Sequence, residues 1–326
     1  MGNPSNLPRS VNVRLCAGGA AGFIALLASF WFIGRHFNVT VGFFTAVSFG
    51  LLLAPYWAFG FGLDGWLRGK LKSTVAMTVA PVFLCIPYLV FALPQGQFRW
   101  DMLLGMTAVI YAIALLLRHA DPAMPGWRDW IVLAILGISV DLHFFDRAWP
   151  VAELGGMPKL LFVDAGLYGY LVVRPLEGIG FDFRLRRSDV AIGLREFLYF
   201  APIAIALGFT LGFLHFHRTA GSPFAFGAGW LFTLFFVALP EELFFRGLML
   251  NMLERHVGPG RALGITSILF GLAHFNKRAA YFNWRYVILA AIAGVFYGRA
   301  WLAERRLLAS SITHATVDTV WSIWLR

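Results

Sequence analysis

The stretch Trp230–Leu250 reads WLFTLFFVALPEELFFRGLML and decides the fold class of this chain. It opens with a run of uncharged, mostly apolar residues, which is typical of a helix embedded in a bilayer. The run then carries Glu241, Glu242 and Arg246. An ionisable group is costly inside a bilayer, so such residues are rare there and usually functional. We therefore expect a membrane helix whose charged residues have a specific role.

The composition of the whole chain agrees with a membrane protein. Of its 326 residues, 59% are hydrophobic, 17% aromatic and only 13% charged. That charged fraction is about half of the value for an ordinary soluble domain. Apolar runs near the length of one crossing cover residues 15–33, 41–63, 75–93, 102–117, 130–145, 160–173, 190–214, 230–250, 262–275, 286–303 and 307–324. We predict an all-α, polytopic helical membrane protein with about 8–11 transmembrane helices.

The positive charge is concentrated in the connections between these runs. The formal net charge is +10 and the isoelectric point is about 10.1, values that in a soluble protein would suggest nucleic acid. Basic loops on one side of a membrane instead follow the positive-inside rule. We predict that the N-terminal segment 1–14 is cytoplasmic and that the chain lies in the cell membrane, the inner membrane in a bacterium. The lipid bilayer is an expected partner, and nucleic acid is not.

The sequence divides into two membrane regions. Residues 15–173 form an N-terminal multi-spanning region, residues 174–189 a basic polar connection, and residues 190–326 the C-terminal domain. Cys16 and Cys85 both lie in apolar runs without a partner nearby in sequence. We interpret them as small hydrophobic residues rather than as a disulfide or metal site.

Glu241 and Glu242 differ in the partners that a helix gives them. Glu242 and Arg246 are four residues apart, so they share a helix face and can form a bidentate ion pair. Neighbouring residues point about 100° apart, which leaves Glu241 without that partner. A carboxylate in an apolar site without full pairing takes up a proton more readily, as a general base for water must. Pro240 removes a helix hydrogen bond, so we expect a kink that opens room there.

Two later segments also carry polar side chains. Phe270–His274 ends one apolar run, and His274 is placed to share a water molecule with Glu241. In the last run, His314 and Asp318 are four residues apart and project from one helix face. Each cluster alone also fits an interfacial or structural role. Together they indicate three helices with polar faces toward one interior.

The N-terminal region has fewer ionisable residues within its apolar runs. Asp141 and His143 lie near the end of one run, and Asp164 lies in a run that contains glycine. No further motif surrounds them. We therefore interpret all three as structural, either interfacial or pairing between helices.

The three C-terminal motifs together resemble the CPBP family of CAAX protease and bacteriocin-processing enzymes, also called Abi. The matching patterns are Glu-Glu-x-x-x-Arg at 241–246, Phe-x-x-x-His at 270–274 and His-x-x-x-Asn/Asp at 314–318. The resemblance lies within residues 230–324 and implies a catalytic helix bundle. It implies that Glu241 and His274 activate the attacking water, and that His314 and the residue four positions later stabilise the oxyanion.

Asp318 departs from the asparagine that this position can hold. An amide donates a hydrogen bond to an oxyanion and an ionised carboxylate does not, so Asp318 is protonated, orients His314 or binds a metal. Glu241, His274, His314 and Asp318 also match the ligand types of catalytic zinc. The sequence has no His-Glu-x-x-His helix. We favour a glutamate mechanism that requires no cofactor, with a divalent metal such as zinc as the alternative.

The predicted function is an intramembrane endopeptidase that hydrolyses a peptide bond of a membrane-associated protein or peptide. The alternative is a non-catalytic membrane scaffold or immunity protein in which the same cluster only packs helices. A transporter fits less well, because the acidic residues cluster in the C-terminal half and no inverted pair of broken helices is visible. A wide cavity at Glu241 would favour catalysis, whereas a dry, fully paired cluster would favour the scaffold.

Overall fold

The computed structural model describes residues 18–28, 42–150, 156–217, 223–277, 279 and 281–325. Within these ranges the regular structure is entirely helical, which confirms the predicted all-α fold. The predicted apolar runs each contain a helix in their described part. The segment 1–14 and Cys16 lie outside the described residues, whereas Cys85 is buried and free, as expected.

The N-terminal region begins with short and medium-length helices. They are α1 (Gly18–Ala28), α2 (Phe43–Phe59), α3 (Leu63–Lys70), α4 (Thr74–Val79), α5 (Ile86–Ala92), α6 (Trp100–Arg118), α7 (Trp127–Asp141) and α8 (Gly156–Tyr168). The 3₁₀ segment Ala80–Cys85 joins α4 to α5, and the π-helical turn Gly169–Val173 extends α8. Helix α3 bends by 90° from α2, and Gly62 at the bend has a φ of 95°, a conformation that glycine adopts without strain.

The C-terminal half contains the longest helices. They are α9 (Arg187–Thr210), α10 (Pro223–Thr233), α11 (Leu239–Glu242), α12 (Asn251–Val257), α13 (Pro259–Leu272), α14 (Trp284–Glu304) and α15 (Leu307–Trp324). The π-helical turns Leu234–Ala238 and Leu243–Leu250 join α10, α11 and α12 into one helix, Phe226–Val257. Gly258, with a φ of 80°, ends this helix.

Several helices are suited to cross a membrane. In the described part of the chain, five helices are long and apolar enough to cross a membrane, or up to six if α2 and α3 form one bent span. The five are Thr74–Ala92, Trp100–Arg118, Arg187–Thr210, Phe226–Val257 and Trp284–Glu304. They support an integral membrane protein. Helices α7 and α13, with 15 and 14 residues, are shorter than one perpendicular crossing of about 20 residues. The count of about 8–11 spans therefore stays a prediction.

The connection 174–189 packs against the turn between α14 and α15. Asp189 accepts a hydrogen bond from the backbone N–H of Arg186 at 2.8 Å and so caps α9. The same carboxylate binds the Arg306 guanidinium at 2.6 and 2.9 Å. The Leu307 N–H donates to the Gly180 carbonyl at 3.1 Å. These contacts hold the start of α15, the helix that carries His314, in a fixed position.

The two halves share one hydrophobic core. It runs from Leu26 in α1 to Leu308 in α15. Within this core the Phe183 ring lies 5.5 Å from the Tyr56 ring and 5.7 Å from the Phe235 ring, measured between centroids. The Tyr56 hydroxyl also donates to the Phe235 carbonyl at 2.8 Å. The N-terminal region is thus packed directly against the helix Phe226–Val257, and the predicted domain boundaries stay a prediction.

The close packing of α13 on α14 predicts a strong effect of one methyl group. A Cβ atom at Gly271 would lie 2.5 Å from the Val287 carbonyl oxygen and 2.8 Å from the Ala291 Cβ. Gly271→Ala should therefore lower the free energy of unfolding by about 1–3 kcal/mol, since backbone atoms must move. The measurement is the Tm of the detergent-purified protein.

Gly264→Ala on the same helix is the matched control. Nothing lies within 4 Å of a Cβ at Gly264, and alanine has the higher helix propensity. The control should keep or raise the Tm. Equal decreases in the two variants would contradict the packing of α13 on α14.

Candidate functional site

The helix Phe226–Val257 carries both glutamates through an irregular but unbroken stretch. π-helical turns lie on either side of α11, which contains Pro240, Glu241 and Glu242. Such turns absorb the loss of a helix hydrogen bond and occur frequently at functional sites. The expected kink at Pro240 is therefore accommodated by local widening of one continuous helix rather than by a break.

Glu242 is the centre of a buried polar cluster. Its Oε1 accepts from Arg246 Nη1 at 2.9 Å and lies 2.8 Å from His314 Nδ1, and the Ser310 hydroxyl donates to its Oε2. All four side chains are buried. The predicted Glu242–Arg246 pair is formed through one guanidinium nitrogen, not two, because Arg246 Nη2 donates to the Gly294 carbonyl at 3.0 Å. The cluster thus ties the Glu242 helix to α14 and α15.

His314 lies among three carboxylates. Its Nδ1 contacts Glu242, and its Nε2 lies 3.4 Å from Asp318 Oδ2 and 3.9 Å from Glu241 Oε2. Its ring stacks on Tyr297, with centroids 4.5 Å apart and planes 17° apart. When it is doubly protonated, an imidazole donates a hydrogen bond from each of its two nitrogens.

Asp318 lies at the edge of the cluster and not in its interior. Its side chain is 30% exposed, and it lines a cavity of about 140 Å³ together with His274, Tyr297 and His314. Three roles were predicted for Asp318. The 3.4 Å distance between Asp318 Oδ2 and His314 Nε2 is compatible with one of them, the orientation of His314.

Glu241 is separated from the buried cluster, as the helix geometry predicts. Its side chain is 29% exposed, whereas that of Glu242 is fully buried. Its Oε1 lies 3.8 Å from Lys159 Nζ, and its Oε2 lies 3.9 Å from His314 Nε2. Both distances exceed those of a hydrogen bond and leave its lone pairs available to water. Glu241 lines a cavity of about 750 Å³ between α7, α8 and the C-terminal half.

His274 lies in the turn after α13 and lines both cavities. Its Nδ1 is 2.8 Å from the Phe270 carbonyl oxygen. A carbonyl oxygen only accepts, so Nδ1 carries a proton and Nε2 of the neutral ring is an acceptor. His274 and Glu241 line a common cavity, and the shared water molecule predicted from the sequence would lie there.

Three side chains of this site were not identified from the sequence. Ser310 precedes His314 by four residues and so lies on the same helix face, a spacing that could have revealed it. Tyr297 and Lys159 reach the site only through packing between distant segments. No local pattern marks either of them.

The N-terminal candidates have different surroundings. His143 Nδ1 pairs with Asp146 at 2.9 Å on an exposed turn, and Asp141 is exposed beside it. These three residues line the 750 Å³ cavity. Asp164 is fully buried, and neither carboxylate oxygen has a hydrogen-bond partner among the described residues. The structural interpretation of Asp141, His143 and Asp164 stays a prediction.

The structure brings the four predicted metal ligands only partly together. Across the described ranges, no group of three or more His, Cys, Asp or Glu side chains is placed to hold a metal ion. His314 Nδ1 is occupied by Glu242, and Glu241 and Asp318 line different cavities. Both carboxylates nevertheless lie near Nε2 of His314, Glu241 at 3.9 Å and Asp318 at 3.4 Å, and the metal alternative stays a prediction.

Fold and site together define a helical membrane protein in which a carboxylate and a histidine line one cavity between the helices. Residues 223–320 match the family described as type II CAAX prenyl endopeptidase, Rce1-like. This match confirms the resemblance to the CPBP family over the C-terminal third of the chain, and all three motifs lie within it. Comparisons with curated proteins and with solved structures found no match. The family match supports a CAAX-type peptidase in a membrane.

The buried cluster predicts a non-additive effect on stability. Arg246→Met removes the cation and leaves Glu242 buried without it, so the free energy of unfolding should fall by about 3–5 kcal/mol. Adding Glu242→Gln removes the buried anion that has lost its arginine partner, so the double variant should be more stable than Arg246→Met alone.

The measurement is again the Tm of each purified variant in detergent. The variants are Arg246→Met, Glu242→Gln and the double variant. If the fall in Tm of the double variant equals the sum of the falls in the two single variants, Glu242 and Arg246 do not interact in the folded protein.

Proposed function

We propose that this protein is an intramembrane endopeptidase that hydrolyses a peptide bond of a membrane-associated protein or peptide. The observation that supports this proposal is the different environment of two adjacent glutamates. Glu242 is buried and fully engaged in the cluster, whereas Glu241 faces a cavity of about 750 Å³ with room for a peptide segment. The family match of residues 223–320 supports the same class of reaction.

In this proposal Glu241 is the general base. A water molecule between Glu241 and the Nε2 of His274 gives its proton to Glu241 as its oxygen bonds to the substrate carbonyl carbon. The tetrahedral intermediate then collapses as the carbon–nitrogen bond breaks. The proton held by Glu241 passes to the leaving nitrogen, so the products are a carboxylic acid and an amine.

His314 is the oxyanion-stabilising residue in this proposal. Its Nε2 makes no close hydrogen bond, since the nearest carboxylate oxygens lie 3.4 and 3.9 Å away. The Nε2–H of a cationic ring is therefore available to the negative oxygen of the intermediate. Glu242 on Nδ1 and Tyr297 on the ring face fix the ring orientation, and Asp318 orients it from the side of Nε2.

The scaffold alternative accounts for only part of the site. A dry, fully paired cluster is what a scaffold requires, and Glu242, Arg246, Ser310 and His314 form one. Glu241 lies beside that cluster, lines a cavity and is 29% exposed. A role in helix packing alone does not account for this position. The peptidase proposal accounts for both features.

The experiment that tests the function compares N-termini of membrane proteins in native cells that carry wild type or Glu241→Gln at equal expression. The amide is nearly isosteric but does not take up a proton, so a set of protein termini should disappear in the variant. A null strain is the reference. If no terminus differs while Glu241→Gln rescues the null phenotype, the scaffold replaces the peptidase.

Chelation tests the proposal that no metal is required. The purified enzyme should cleave a quenched-fluorescent peptide, built on a sequence found by terminus mapping, equally well before and after EDTA treatment and dialysis. A loss of cleavage that zinc restores would instead establish a metal-dependent reaction.

A further inference from the structure

The cavity at Glu241 is built by both halves of the chain. The C-terminal half contributes Glu241, Phe244 and His274, and α7 and α8 contribute Leu136, Lys159 and Phe162, among others. The family match covers residues 223–320 and does not include α7 or α8. A segment outside the matched domain thus forms part of the wall that faces the proposed base.

The position of Lys159 is unfavourable for a positive charge unless a negatively charged partner lies nearby. It lies in the first turn of α8, where the positive end of the helix dipole repels a cation. Its neighbours Pro158 and Leu160 are buried, and its own side chain is only 27% exposed. A partly buried lysine in an apolar helix calls for a negatively charged partner. That partner is Glu241, at 3.8 Å.

The two oxygens of Glu241 are approached from different elements. Lys159 on α8 lies next to Oε1, and His314 on α15 lies next to Oε2. Each contact is too long for a hydrogen bond but close enough for electrostatic attraction. The Glu241 carboxylate thus lies between a lysine and a histidine and is hydrogen-bonded to neither of them.

We propose that Lys159 is a positioning residue for Glu241, and that the N-terminal region thereby completes the active site. Lys159 holds the carboxylate in the orientation from which it takes a proton from water. The inference rests on the proposed function, because it assigns Lys159 a role in the step that Glu241 carries out. It gives the N-terminal region a part in the chemistry.

Two other roles for Lys159 make different predictions. A purely structural ion pair would change the Tm of the protein but not its turnover. A lysine that binds a negative group of the substrate would change KM and not kcat, because binding is lost without a loss in the chemical step. A positioning residue lowers kcat with little change in KM.

The experiment measures kcat, KM and Tm for full-length wild type, Lys159→Met and Lys159→Arg in detergent. The substrate is the quenched-fluorescent peptide built on a mapped cleavage sequence. Lys159→Met keeps the length of the side chain but removes its charge, and Lys159→Arg keeps the charge. The matched control is Lys70→Met, at an exposed lysine of α3 in the same region of the chain and outside the cavity.

The expected result is a decrease in kcat of about tenfold for Lys159→Met, with KM changed by less than about twofold. Lys159→Arg should recover most of the activity, and Lys70→Met should behave as wild type. A kcat unchanged in Lys159→Met, or a loss confined to KM, would overturn the positioning role while the peptidase proposal stands. If the wild type itself cleaves nothing, the peptidase proposal fails and the inference fails with it.

Discussion

The hydrogen-bonded ion pair between Glu242 and Arg246, with His314 on the same carboxylate, is the interaction on which the site depends. It joins the helix Phe226–Val257 to α15 at His314 and to α14 through the Gly294 carbonyl. The Arg246 guanidinium also lies 4.5 Å from the Phe270 ring centroid, which brings α13 into the same cluster. Breaking such a buried pair leaves an uncompensated charge, so these helices hold one relative position.

That fixed arrangement lets neighbouring residues take opposite roles. The helical rotation of about 100° per residue buries Glu242 and turns Glu241 toward the cavity. In the proposed function, Glu242 is a structural anion that orients the His314 ring, and Glu241 keeps lone pairs accessible to water. The different environments of Glu241 and Glu242 follow from their adjacent positions on one helix and from the packing around that helix.

Much of this site could be predicted from spacing along helices. The four-residue intervals between Glu242 and Arg246 and between His314 and Asp318 placed each pair on one face, and the structure places these residues together. The contact of Lys159 with Glu241 could not be predicted, because the two residues lie about eighty positions apart in the sequence. Helical periodicity shows which residues share a helix face but not which distant helices pack together. The same limit applies to Tyr297, which reaches His314 only through the packing of α14 on α15. The all-α class followed from apolar run length, whereas the number of crossings depends on tilt and bending, as in α2 and α3.

The most direct test of this account compares Glu241→Gln with Glu242→Gln in the purified full-length protein, with Tm and peptide cleavage measured on the same samples. The account predicts that Glu241→Gln loses cleavage with only a small fall in Tm, because Lys159, which loses its counter-charge, is itself partly exposed, while Glu242→Gln lowers the Tm more because its buried partners lose theirs. A Glu241→Gln protein that loses as much Tm as Glu242→Gln, or that still cleaves at the wild-type rate, would contradict the assignment of Glu241 to the chemistry and Glu242 to the structure.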